Sequence, residues 1–143
     1  MYPELMVVPM REELTRLGVQ ELRTASEVDS VLSSKEGTVM VVVNSICGCA
    51  AGRMRPAVRQ AMEHPVLPDK VVTVFAGQDR DATEQARSYF TGYQPSSPSI
   101  GLLREGQLVF MLERHDIEHR EADDIAGDLI AAFNKFCAKT AAN

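Results

Sequence analysis

Apolar positions fall into two β-branched runs and several helical stripes. Residues 38–43 (Thr-Val-Met-Val-Val-Val) and 71–75 are apolar on both faces, the pattern of strands covered on both sides of a sheet. Between them Met54, Val58, Ala61 and Met62 recur at helical spacing, predicting a helix over 50–63 closed by His64-Pro65 and Pro68. Strand, helix and strand make a βαβ unit with parallel strands. Ahead of it, Met10, Leu14 and Leu17 predict a short helix stopped by Gly18, and residues 19–22 alternate as an edge strand. Ser26-Glu27-Val28-Asp29 then opens a helix with Val28, Val31 and Leu32 on one face and Gly37 at its end. Behind the unit, residues 81–90 read as a helix. Residues 99–104 and 107–113 flank Glu105-Gly106, a two-residue turn that favours an antiparallel hairpin. Residues 122–139 read as a final helix, with Ile125, Leu129, Ile130, Phe133, Phe136 and Cys137 inward.

This order is the plan of a thioredoxin-like α/β domain: a central mixed β-sheet flanked by helices, with extra helical material at the N-terminus. At 143 residues the chain fits one such domain over 1–143, with a core at about 19–139. Apolar residues make up 45% and charged residues 24%, a soluble composition with no run long enough to span a membrane. The start Met1-Tyr2-Pro3-Glu4-Leu5 lacks a basic, apolar leader, so a cytoplasmic location is expected. A net charge of −5 argues against nucleic-acid or anionic-membrane partners. Oligomeric state is not legible.

Three cysteines remain, and in a reducing compartment they point to chemistry rather than structural bridges. Cys47-Gly48-Cys49 stands where the first buried strand hands over to a helix. The unpaired amides and positive dipole end of a helix stabilise a thiolate. A second cysteine beside it completes the minimum for thiol–disulfide exchange, with Cys47 attacking and Cys49 resolving. Gly48 permits the bend that an i, i+2 bridge requires. Arg53 and Arg55, within two turns, are candidates to lower the Cys47 pKa further. Two other roles stay open for these sulfurs. One is core packing; the other is a metal site completed by His64, His115 or His119. Exchange chemistry itself needs no cofactor or metal. Cys137, on the apolar stripe of the last helix, reads as a packed residue.

Pro95-Ser96-Ser97-Pro98-Ser99 precedes the hairpin. Together with Val43-Asn44-Ser45-Ile46-Cys47-Gly48-Cys49-Ala50-Ala51-Gly52, Tyr89-Phe90-Thr91-Gly92-Tyr93 and Glu113-Arg114-His115, it resembles the bacilliredoxins, thioredoxin-like proteins with Cys-Gly-Cys in place of Cys-x-x-Cys. The resemblance runs from about Leu5 to Cys137, departing at Gln94 and His119, where proline and glycine are expected. It implies removal of bacillithiol from mixed disulfides with client proteins, Cys47 taking the small thiol and Cys49 releasing it. It also implies a cis peptide at Ser97-Pro98 facing the attacking cysteine, which places Gly48, Ser97 and Pro98 on the substrate surface. Charge adds Arg53 and Arg55 as contacts for carboxylates of an anionic thiol.

Overall fold

Thr38–Asn44 forms the central strand because all seven of its side chains are buried, leaving water no face to reach. In the computed structural model, residues 1–138 are described. The elements run α1 (Glu4–Thr15), β1 (Gln20–Glu21), α2 (Ala25–Leu32), β2 (Thr38–Asn44), a π-helical turn (Ala50–Met54), α3 (Arg55–Ala61), β3 (Lys70–Phe75), α4 (Arg80–Arg87), β4 (Ser99–Arg104), β5 (Gln107–Leu112), α5 (Arg114–Ile117) and α6 (Ala122–Phe136). The sheet order is β1-β3-β2-β4-β5. β3 runs parallel to β1 and β2, while β4 is antiparallel to β2 and β5. Alternating side chains of β2 feed two cores. Met40 and Val42 pack with Leu14 of α1, Val58 of α3 and Ile125, Leu129 and Phe133 of α6. Val39, Val41 and Val43 pack with Val28 and Leu32 of α2 and Ala82 and Ala86 of α4.

Local chemistry sets the element ends. Thr24 caps α2 in a reciprocal box, its Oγ1 accepting from the Glu27 amide at 3.1 Å and its own amide donating to Glu27 Oε1 at 3.1 Å. Glu105 and Gly106, with φ of 53° and 81°, make the tight turn between β4 and β5. Several predicted boundaries move. α1 starts at Glu4 and runs through Pro9, because Val7, Arg11 and Leu14 share a buried face that outweighs one missing amide bond. α2 stops at Leu32; Gly37, with φ of 74°, instead turns the chain into β2, where a Cβ would lie 2.6 Å from Asp69 Oδ2. α4 ends at Arg87, and the Phe90 ring beyond it lies on Gly101 of β4 so closely that a Cβ there would sit 2.5 Å from Cε1. α6 ends at Phe136, and Lys139 falls outside the described residues.

Candidate active site

The backbone leaves β2 at Asn44 and turns into the helical segment through Ser45 and Ile46, so Cys47 stands at the C-terminal edge of the sheet. Its carbonyl accepts from the amides of Ala50 and Ala51 at 2.9 and 3.2 Å, the first bonds of the helix. Its own amide donates to Ser45 Oγ at 3.2 Å. The Cys49 amide donates to Cys47 Sγ at 3.4 Å, so the sulfur occupies the acceptor place that an oxygen fills in an ordinary N-cap. The sulfurs of Cys47 and Cys49 are 2.6 Å apart and both cysteines are unbridged.

Their environments split the two thiols. Burial pushes Cys47 up, but the hydrogen bonds from the Cys49 side chain and amide, the charge of Arg114 and the Ala50 amide outweigh it, and the group ends below the ordinary thiol value. Cys49 moves the other way, raised by burial and then by Cys47. Of the two, Cys47 is therefore the sulfur that ionises first and Cys49 the one that keeps its proton longer, the order that an attacking thiol beside a resolving one requires.

The arginine that acts on the sulfurs is Arg114, at the start of α5, rather than Arg53 or Arg55. A π turn adds one residue to the helical ladder and rotates the following face by about 100° relative to an unbroken helix. Arg55, just past that turn, points inward. It is 3% exposed, donates to Asn44 Oδ1 and Ser45 O at 2.9 Å each, and its Nε lies 3.1 Å from Glu13. This corrects its expected place on the substrate surface. Arg55 lies beneath the loop carrying Cys47 and braces it. Arg53 stays at the rim, donating to Arg120 O at 2.7 Å and lying 3.6 Å from Glu121.

The Ser97-Pro98 peptide is cis, and Pro98 is buried at the entry to β4. Two arginines hold the carbonyls before it. Arg87 donates to Ser96 O at 3.1 Å and Arg114 reaches Ser97 O at 3.4 Å. Two clefts meet at Cys47. One, of about 410 Å³, is lined by Ser45, Cys47, Ser97, Arg87, Arg114 and Tyr2 among others. The second, of about 470 Å³, is lined by Cys47, Gly48, Cys49, Gly52, Arg53, Arg114, Glu118 and Glu121. Tyr2 comes from the N-terminal segment, whose backbone exchanges hydrogen bonds with the Gln78 side chain at 2.9 and 2.8 Å. Arg11 on α1 adds ion pairs to Glu4, Glu21 and Asp79. Sequence reasoning assigned no role to Arg87, Arg114 or Tyr2; the only signal was Arg114 within the Glu113-Arg114-His115 segment.

No histidine lines either cleft. His64 pairs with Asn134 at 2.8 Å, and His115 lies 3.6 Å from both Glu113 and Asp116. Cys137, at the C-terminal end of α6, is 8% exposed and packed in the core, where burial raises its pKa. Among the described residues no helix is long and apolar enough to cross a membrane.

Solved structures share this architecture. The thioredoxin of Malassezia sympodialis (Mala s 13) aligns with a TM-score of 0.57 at 18% identity, covering 84% of this chain and 91% of that one. Fasciola hepatica thioredoxin aligns with a TM-score of 0.57 at 17% identity, covering 82% and 99%. The fold is that of thioredoxin. The model of the family described as "Disulphide isomerase" matches residues 2–137. A bacilliredoxin of Koribacter versatilis (strain Ellin345) is 62% identical over 141 residues, spanning 99% of this chain and 97% of its own length. One of Geobacillus kaustophilus (strain HTA426) is 50% identical over 137 residues, spanning 95% and 94%. The chain belongs to the bacilliredoxin family and is a thiol–disulfide oxidoreductase.

Proposed function

We propose that this oxidoreductase removes a low-molecular-weight thiol of the bacillithiol type from mixed disulfides with client proteins, with Cys47 attacking and Cys49 resolving. The observation that carries the reading is the split between the sulfurs, Cys47 lowered and Cys49 raised, at the meeting point of two clefts. The Cys47 thiolate attacks the small thiol's sulfur, a Cys47–small-thiol disulfide forms, and the client–small-thiol bond breaks. The client leaves as a thiolate and takes a proton. Cys49, losing its proton, then attacks Cys47, releasing the small thiol and leaving a Cys47–Cys49 disulfide. Two electrons have passed from the cysteine pair to the mixed disulfide, so each further cycle requires an external dithiol or thiol reductant. Gly48 and Ser97 form the surface that receives the client, with Pro98, expected on that surface, buried behind Ser97. A reducing compartment, the cytoplasm, suits this chemistry.

A client carrying bacillithiol on its single cysteine tests the reading. Reduced protein is expected to liberate the client thiol and, in a Cys49→Ala variant, to retain the small thiol on Cys47 by mass spectrometry. A client left fully thiolated would contradict it. The family description favours a second reading, rearrangement of protein–protein disulfides. Reactivation of a scrambled disulfide protein at a rate exceeding small-thiol removal would place it first.

A further inference from the structure

The two clefts that meet at Cys47 differ in charge. The second holds Arg53 and Arg114 together with Glu118 and Glu121, and these are already matched: Arg114 Nε pairs with Glu118 at 3.0 Å and Arg53 lies 3.6 Å from Glu121. An anion entering there meets carboxylates. The first cleft is lined by Arg87 and Arg114 and by no carboxylate. The carboxylate acting on Arg87, Glu84, lines not this cleft but a neighbouring cavity that Arg87 also borders.

Both arginines are tethered to the proline loop and still have donors in hand. A guanidinium carries five N–H groups. Arg87 uses one on Ser96 O, and its Nε is buried without a hydrogen-bond partner among the described residues. Arg114 uses Nε on Glu118 and Nη1 on Ser97 O. Burial works against the Arg87 cation, lowering its pKa with only Glu84 opposing, so its charge lacks full compensation in the free protein. Anchored, fork-shaped cations with spare donors suit a carboxylate.

The geometry points to an anion subsite in the first cleft, where Arg87 and Arg114 bind a carboxylate of the small thiol while its sulfur is presented to Cys47 and the client leaves toward the second cleft. This rests on the reading of small-thiol removal given above. It moves the anion contact from Arg53 and Arg55 to two arginines far apart in sequence. It also gives the N-terminal segment a purpose, since Tyr2 closes the cleft on the side facing Gly77.

The test uses one single-cysteine client carrying mercaptosuccinate, 2-mercaptoethanol or cysteamine, and single-turnover rate constants with excess reduced protein. The client is the leaving group in all three adducts and intrinsic differences between the attacked sulfurs are common to wild type and variant, so the change in the mercaptosuccinate-to-mercaptoethanol ratio isolates the subsite. Loss of one charged hydrogen-bonded contact is expected to lower that ratio about tenfold in Arg87→Gln and in Arg114→Gln. Arg87→Lys should keep most of it, and in the two Gln variants, which lose the positive charge, the cysteamine adduct should gain relative to the neutral one. Because the readout is a ratio, a general loss of Cys47 reactivity in Arg114→Gln does not imitate the effect. Ratios within about twofold of wild type in both Gln variants would overturn the subsite. So would a tenfold fall in Arg53→Gln that Arg87→Gln lacks, which would move the anion to the second cleft. Wild-type protein that removes none of the three adducts would instead sink the small-thiol reading itself, and the subsite with it.

Discussion

Cys47 and Cys137 lie at opposite ends of the same strand, and their surroundings push their thiols in opposite directions. Cys47 follows the last residue of β2 and ends below the ordinary thiol value. Cys137 is raised by burial, with the hydrogen bond to Thr38, the first residue of β2, opposing. Seven residues of extended chain separate the two ends by roughly 20 Å. Both sulfurs suffer desolvation. At Cys137 the Thr38 hydrogen bond and the charge of Arg104 do not offset it, and Asp69 adds to the rise; at Cys47 a donor sulfhydryl, two helix-start amides and the Arg114 guanidinium overcome it. Reactivity here comes from donors arranged at a strand end, not from burial or residue type.

Breaking the contrast at its root has the largest effect. Cys47→Ser is expected to reduce removal of the small thiol to the uncatalysed rate, while Cys137→Ser stays within about twofold of wild type because it is distant and shares no partner with the site; client-release kinetics compare them. Cys49→Ala removes the sulfhydryl donor as well as the resolving thiol. It should halt the reaction at the Cys47 adduct and move the onset of Cys47 alkylation to higher pH. The sign follows from the removed contact, since a lost donor no longer favours the thiolate.

Arg55→Met unbraces Asn44 and Ser45, leaving Ser45 O without its buried donor. A loss of about 1–3 kcal/mol in urea unfolding is expected, with Cys47 alkylation shifting toward that of an ordinary thiol as its loop loosens. Arg114→Gln removes a half-exposed charge together with its pairing to Glu118 and its contact with Ser97 O. It should raise the Cys47 onset less than Cys49→Ala does, and less still at high salt, where the wild-type contribution is itself screened.

The frame of this site was readable from side-chain pattern. The β-branched runs at 38–43 and 71–75 became β2 and β3 because strands buried on both faces admit little else. Glu105-Gly106 announced the β4–β5 turn as a two-residue link between apolar runs, and both residues take positive φ in the structure. Cys47-Gly48-Cys49 was conspicuous because a strand-to-helix junction has local markers. The cations were not. Arg114 reaches the sulfurs from 67 residues downstream of Cys47 through the path of β4 and β5, a closeness that no local spacing encodes. Arg55 looked like a surface residue since burying a charge is costly, and its partners Glu13, Asn44 and Ser45 become available only after folding. The π turn that rotates it inward leaves no pattern in Ala50-Ala51-Gly52-Arg53-Met54 distinct from an α-helix. Pro9 illustrates the converse, a local helix breaker overruled by a buried face.

The most direct measurement is alkylation of the reduced protein across pH, with the modified cysteine identified by mass spectrometry at each point. The expected result is Cys47 reacting first, with its half-maximal rate at a pH below that of a free thiol, Cys49 only at higher pH and Cys137 last. Cys47 reacting no sooner than Cys137, or with the pH dependence of a free thiol, would contradict the central claim that the fold favours the thiolate of this sulfur over that of an ordinary thiol.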